Sequence, residues 1–236
     1  MLEFRGFSKS YAAKARAVDG LTLKVEAGEI YGFIGHNGAG KTTAIRSAVG
    51  VLDFEEGDIL IDGLSIRNEP VACKRRLAYI PDNPDIYDHL TGAQYIHFIA
   101  DIYEVPDAER KERLTRYSQA FEIADRLNDL ISAYSHGMKQ KICLIAALIH
   151  APKLLVLDEP FVGLDPKAAH TLKGIMREMT ENGSAIFFST HVLDVAEKLC
   201  TKVAIIKQGK LIACGDMDTV KGNASLEDVF MELIDR

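Results

Sequence analysis

Four groups of residues in this chain have types and spacings that could do chemistry, and three of them point to phosphate. The stretch EIYGFIGHNGAGKTTAIRSAVG at 29–50 runs an apolar strand into Gly35, His36, Asn37, Gly38, Ala39, Gly40, Lys41, Thr42 and Thr43, and a helical pattern follows at once. This fits G-x-x-x-x-G-K-[ST] in the strand-then-helix setting the pattern requires. The glycines let successive N–H groups curl inward around phosphate oxygens, and the helix N-terminus adds partial positive charge. Lys41 is placed to reach the β and γ phosphates, Thr42 to offer a hydroxyl to Mg²⁺, and Thr43 to add a contact near the phosphates. The expected ligand is a nucleoside triphosphate, with Mg²⁺.

The second group ends another apolar strand. LLVLDEP at 154–160 places two carboxylates at a strand edge, where open α/β sheets bind ligands. Alone, such a pair could simply close a strand in a polar turn. Beside a phosphate loop, Asp158 is the expected Mg²⁺ carboxylate, and Glu159 the group that orients and deprotonates an attacking water. A third strand, SAIFFST, ends in Ser189, Thr190 and His191, and His191 is the candidate γ-phosphate contact. The fourth group, YSHGMKQK at 134–141, gathers Ser135, Gly137 and two lysines where the apolar run ICLIAALIH begins a buried helix. Histidines 89, 97, 150 and 170 show no metal-ligand spacing.

The elements that must position these groups are legible in outline. Short alternations of strand and helix predict an α/β protein, with a phosphate-loop core of mostly parallel sheet. The runs at 2–9, 18–25 and 57–62, with Asp-Gly pairs at 19–20 and 62–63 read as turns, predict an N-terminal antiparallel patch. From about 87 to 150 the texture is helical, with Thr91 and Asp107 as expected N-caps and Pro106 separating two helices. The expected organisation is one domain over 1–236. Residues 1–86 and 151–236 would make the nucleotide-binding core, and 87–150 an inserted helical subdomain.

Composition excludes several classes. With 47% hydrophobic and 26% charged residues, the 236-residue chain can bury a full core. A net charge of −6 argues against a nucleic acid partner, which needs clustered Lys and Arg. The basic stretch RNEPVACKRR at 67–76 reads as a solvated helix face. Cys73, Cys143, Cys200 and Cys214 form no CxxC pair and read as small core residues in a reducing compartment. The N-terminus has no signal-peptide pattern, and no apolar run reaches the roughly 18 to 20 residues needed to cross a bilayer.

The order GHNGAGKTT, YSHGMKQK, LLVLDEP, GLDP at 163–166 and STH at 189–191 resembles the ATP-binding subunit of ABC transporters over essentially the whole chain. The signature, the EPFVGLDP run and the ending SLEDVFMEL resemble the ATPases of ABC-2-type exporters, the Ecs-like group among them. The resemblance implies a Mg²⁺-dependent ATPase. Two subunits, expected to be a homodimer, would close head to tail on two ATP molecules and drive a separate transmembrane permease from the cytoplasmic face. It implies that Ser135 and the N–H of Gly137 meet the γ-phosphate held by the partner's loop. Tyr11, in SKSYAAK, would stack on adenine, and Asp165 would link the two ATP sites. The family's usual pattern has Gly where His136 stands, Gln where Met138 stands, and a metal-sensing Gln where Asp82 stands; Asp82 enters as a metal-site candidate. A groove over residues 82–105 and the adjoining helices would receive a short helix of the permease. Two other readings fit the phosphate loop: a soluble switch on ribosome or DNA, and a small-molecule kinase. The first would call for paired cassettes or long coiled coils, and the second has no use for YSHGMKQK.

Overall fold

In the computed structural model the described residues are 1–11, 16–83 and 85–235. The last part of SKSYAAK, after Tyr11, lies outside them. Strands β1 (Leu2–Ser10), β2 (Arg16–Val25), β4 (Glu56–Ile61) and β5 (Leu64–Ser65) form an antiparallel sheet in the order β2-β1-β4-β5. Asp62 and Gly63 both have positive φ, 51° and 82°, and turn β4 into β5. That is the geometry an Asp-Gly hairpin favours. The other Asp-Gly pair is not a turn. Asp19 and Gly20 lie inside β2, where the pairing slips from Phe7↔Leu21 to Lys9↔Val18. One extra residue on β2 makes a bulge, and the Gly20 N–H donates to Ser8 Oγ at 2.9 Å instead of continuing the ladder.

The second sheet has six strands in the order β10-β9-β3-β8-β7-β6. They are β3 (Ile30–Ile34), β6 (Leu77–Ile80), β7 (Leu154–Asp158), β8 (Ala185–Thr190), β9 (Lys202–Lys207) and β10 (Lys210–Asp216). The pairs β9–β3, β3–β8, β8–β7 and β7–β6 are parallel, and β10 is antiparallel at one edge. The fold is α/β with a mostly parallel sheet and a separate antiparallel sheet.

The unbroken apolar runs of β3, β7 and β8 follow from burial on both faces. Alternate residues feed two cores. Tyr31, Phe33, Leu154, Val156 and Phe187 pack with the antiparallel sheet and α1 (Lys41–Ala48). Ile30, Ile34, Leu155, Leu157, Ile186 and Phe188 pack in the other core with helices α3 (Gly92–Ile102), α5 (His136–Leu148), α6 (Pro166–Glu181) and α7 (Leu193–Leu199).

The segment between β6 and β7 is helical. Thr91 caps α3 with a reciprocal box in which Gln94 N–H donates to Thr91 Oγ1 and Thr91 N–H donates to Gln94 Oε1. Asp107, expected to cap the next helix, is instead the first residue of α4 (Asp107–Ala120), and Pro106 holds the cap position without a side-chain bond. Helix α5 is buried from Ile142 to Leu148, as a run apolar on every side requires.

Of the basic stretch, α2 (Pro70–Lys74) buries only Cys73. Cys73, Cys143 and Cys200 are buried, but Cys214 is exposed on the edge strand β10, where alternate side chains face water. The chain closes with α8 (Met217–Lys221) and α9 (Leu226–Asp235). Among the described residues no helix is long and apolar enough to cross a membrane.

Candidate functional site

Because β3, β7 and β8 are adjacent and parallel, their C-terminal ends open on one edge of the sheet, and the first three sequence groups meet there. The turn after β3 carries residues 35–40 into α1, with Gly40 at φ 108° as the helix N-cap. A Cβ at Gly40 would lie 2.4 Å from the Ala17 carbonyl oxygen, so both the backbone angle and the space require glycine. A cleft of about 530 Å³ opens above the loop, walled by His36, Asn37, Gly38, Gly40, Lys41, Thr42, Thr43, Tyr11, Ala17, Asp82 and Glu159. Tyr11 is half-exposed, and its hydroxyl is 3.3 Å from Thr43 Oγ1; it is not a core tyrosine.

Lys41 is buried and its ammonium donates to the Gly35 carbonyl at 2.6 Å, with Glu159 Oε1 at 3.6 Å. The register Asp158↔Ser189 places a hydroxyl between the two carboxylate residues. Ser189 Oγ donates to Asp158 Oδ1 at 2.5 Å and accepts the Glu159 N–H at 3.0 Å. Asp158 is buried, and its second oxygen, Oδ2, has no hydrogen-bond partner among the described residues. A buried carboxylate oxygen left this way carries a large desolvation cost, so this atom fits a hard cation or its water shell. Glu159 has φ 49°, unusual for a residue with a side chain, and its Oε2 lies 3.0 Å from His191 Nδ1. The sheet edge thus brings Lys41, Asp158, Glu159 and His191 together. Ser189, which links two of them, was visible in the sequence only as part of a polar strand end; its role needs the strand register.

Ser135, Gly137 and Asp165 do not line this cleft. Ser135 is the N-cap of α5, its Oγ accepting the Met138 N–H at 3.3 Å, which leaves its hydroxyl proton free to donate outward. The two lysines of the first turns would oppose the helix dipole, but each is neutralised: Lys139 by Asp88 at 2.6 Å and Lys141 by Asp165 at 2.8 Å. Asp165 is the N-cap of α6, with Oδ1 accepting the Ala168 N–H at 2.8 Å. The hydrogen bond from Lys141, then that from Ala168, holds its carboxyl below the ordinary value.

On the helical side a cavity of about 180 Å³ lies among β6, α3 and α5, lined by Tyr79, Pro81, Ile86, Tyr95, Ile99, Tyr103, Ala146 and His150 among others. The exposed rings of Tyr87 and Phe98 stand beside it, their centroids 5.9 Å apart.

A family model described as ABC transporter matches residues 18–162. The chain is 35% identical over 222 residues to the uncharacterized ABC transporter ATP-binding protein YhcH of Bacillus subtilis, covering 94% of this chain and 70% of that protein. It is 33% identical over 218 residues to the ABC-type transporter ATP-binding protein EcsA of the same organism, covering 90% of this chain and 88% of that one. A solved structure described as the ATP binding subunit of an ABC transporter superposes with a TM-score of 0.95 at 35% identity, over 99% of both chains. The matched family residues run from β2 through the phosphate loop and α5 to the carboxylates at the end of β7, and this chain belongs to the ATP-binding proteins of the ABC transporter family.

Proposed function

We propose that the chain hydrolyses ATP as one of two identical subunits closing on two nucleotides, and that this movement drives a separate membrane-spanning permease of exporter type. The observation that carries the reading is a division of the site. Lys41, Asp158, Glu159 and His191 share one sheet edge, while Ser135 and Gly137 sit outside the cleft at a helix N-terminus. A second copy, turned head to tail, would supply the missing anion contacts.

In this mechanism Tyr11 stacks on the adenine, the N–H groups of residues 36–42 cradle the phosphates, and Lys41 leaves the Gly35 carbonyl to meet the β and γ oxygens. Thr42, Asp158 through its unpartnered Oδ2, and Asp82 on the cleft wall would hold Mg²⁺, which when bound neutralises phosphate charge. Glu159, freed from Lys41, accepts the proton of the attacking water, and His191 holds the Glu159 carboxylate from its other oxygen and contacts the γ-phosphate. The groove of Tyr79, Tyr95, Ile99 and Tyr103, with Tyr87 and Phe98 beside it, suits a short amphipathic helix of the permease. In this reading the protein works on the cytoplasmic face of the membrane, held there by the permease.

The test is sedimentation of the Glu159→Gln protein with and without MgATP. Loss of the general base should lower turnover by roughly 100-fold or more while ATP still binds, so the closed pair should accumulate. A monomer-to-dimer shift with MgATP supports the reading. ATP binding without dimerisation rules out the homodimer, and unchanged turnover removes Glu159 from its role.

A further inference from the structure

The start of α5 is fastened to the segment that follows Glu159 at several successive points. The Gln140 side-chain amide, fully buried, donates to the Pro160 carbonyl at 3.0 Å. Gly137 approaches Gly163 so closely that a Cβ on Gly137 would stand 2.9 Å from the Gly163 oxygen. The His136 ring lies against Gly163: a Cβ there would be 2.6 Å from His136 Cδ2 and 2.9 Å from Nε2. Gly163 also has φ 83°, which strains any other residue. Lys141 closes the far end on Asp165. Residues 160–165 therefore form a strap with Glu159 at one end, the N-cap of α6 at the other, and α5 along its length. Glu159 sits at positive φ, a conformation that persists only where the neighbouring structure holds it.

The His136 ring is the side chain at the start of α5 that touches the strap at Gly163. We propose that His136 is a positioning residue for hydrolysis. Its ring fills the space over Gly163 and makes the strap move with the anion-facing turn of α5. Contact of the partner's triphosphate with Ser135 and Gly137 then sets the carboxylate of Glu159 in the same chain. The inference rests on the reading of Ser135 and Gly137 as the partner-facing contacts. It does not place the His136 ring on phosphate; the ring acts by packing.

The experiment compares the full chain with His136→Ala, which keeps a good helix former at the first helical position, and His136→Phe, which keeps a ring without a titratable nitrogen. Amide exchange of 161–165 is measured first in nucleotide-free protein. Exchange should quicken several-fold in the alanine variant and stay near the parent rate in the phenylalanine variant. Steady-state turnover is measured next. The alanine variant should lose kcat by roughly three- to tenfold at unchanged KM for ATP, because a misplaced base slows chemistry without weakening the phosphate loop; the phenylalanine variant should recover most of that loss. Unaltered strap exchange in His136→Ala, unaltered kcat, or a phenylalanine variant as impaired as the alanine one would each overturn the proposal. Failure of the dimer reading looks different: Glu159→Gln stays monomeric with MgATP, whatever the His136 variants do, and the exchange of 161–165 still decides whether the ring holds the strap.

Discussion

The two regions proposed to meet phosphate are built on opposite plans. At the sheet edge the functional groups are wired to one another inside the chain. Lys41 is buried against the Gly35 carbonyl and near Glu159, Asp158 and Glu159 share the Ser189 hydroxyl, and His191 closes on Glu159. At the head of α5, Ser135 is exposed and Gly137 is half-buried against Gly163, and the charges around them are already paired to Asp88 and Asp165. The first region gathers its proposed ligand contacts within one chain. The second offers only N–H and O–H donors and no free cation of its own among Lys139 and Lys141, so it suits an anion that another chain already holds. In the proposed dimer, separating the binding of the nucleotide from its recognition across a contact would let occupancy of one subunit be sensed by the other.

That contrast can be broken from either side. The largest effect should come from Lys41→Ala. Removing a buried charge-assisted donor should weaken ATP affinity by roughly 10- to 100-fold, about 1.5–3 kcal/mol, in a direct titration of the nucleotide. Unchanged affinity would detach the loop from the function proposed for it. Next is Ser135→Asp, which preserves a good N-cap but sets a carboxylate where an anion should arrive. Turnover should fall by about tenfold or more, and dimerisation of the Glu159→Gln background should be lost, while ATP affinity of the single chain is unaltered. A matching loss of affinity would mean that the two regions are not separate.

The change that should leave nucleotide handling least affected concerns the opposite end of α5, facing the groove. His150 stacks on Tyr103 with centroids 3.7 Å apart, and burial pushes its pKa down to about 4. The folded-state value lies below the unfolded value, so between pH 6.5 and about 4 the unfolded chain binds the extra proton. The stability present above pH 6.5 should be lost as pH falls through that window, at up to about 1.4 kcal/mol per pH unit. His150→Phe should flatten that part of the Tm-versus-pH curve while leaving nucleotide affinity unchanged.

Much of this arrangement was legible before any coordinates. The phosphate loop declares itself because its geometry needs Gly40 and its charge needs Lys41 at set spacing, and local rules of this kind survive in one dimension. Thr91 announced α3 for the same reason. Where the sequence misled, a local signal was overruled by its setting. Asp19-Gly20 looks like a hairpin turn but sits within β2, because β1 continues past it and the pair can only bulge. Asp107 looks like a cap, but Pro106, with its restricted φ, already occupies that position. Tyr11 was ambiguous between core and ligand contact, and its exposure beside Thr43 places it on the cleft.

The sequence alone determined which residues are the candidates for phosphate chemistry, since each motif is a short string whose backbone angles and charges act within a few residues. The tertiary structure decided how those residues are coupled. The Ser189 bridge depends on β7 and β8 lying in register, the Lys141–Asp165 pair on α5 meeting the N-terminus of α6, and the hold of His136 on Gly163 on a close backbone approach between segments more than twenty residues apart. Such contacts are set by packing over distance, and packing follows from the whole chain burying its apolar surface at once.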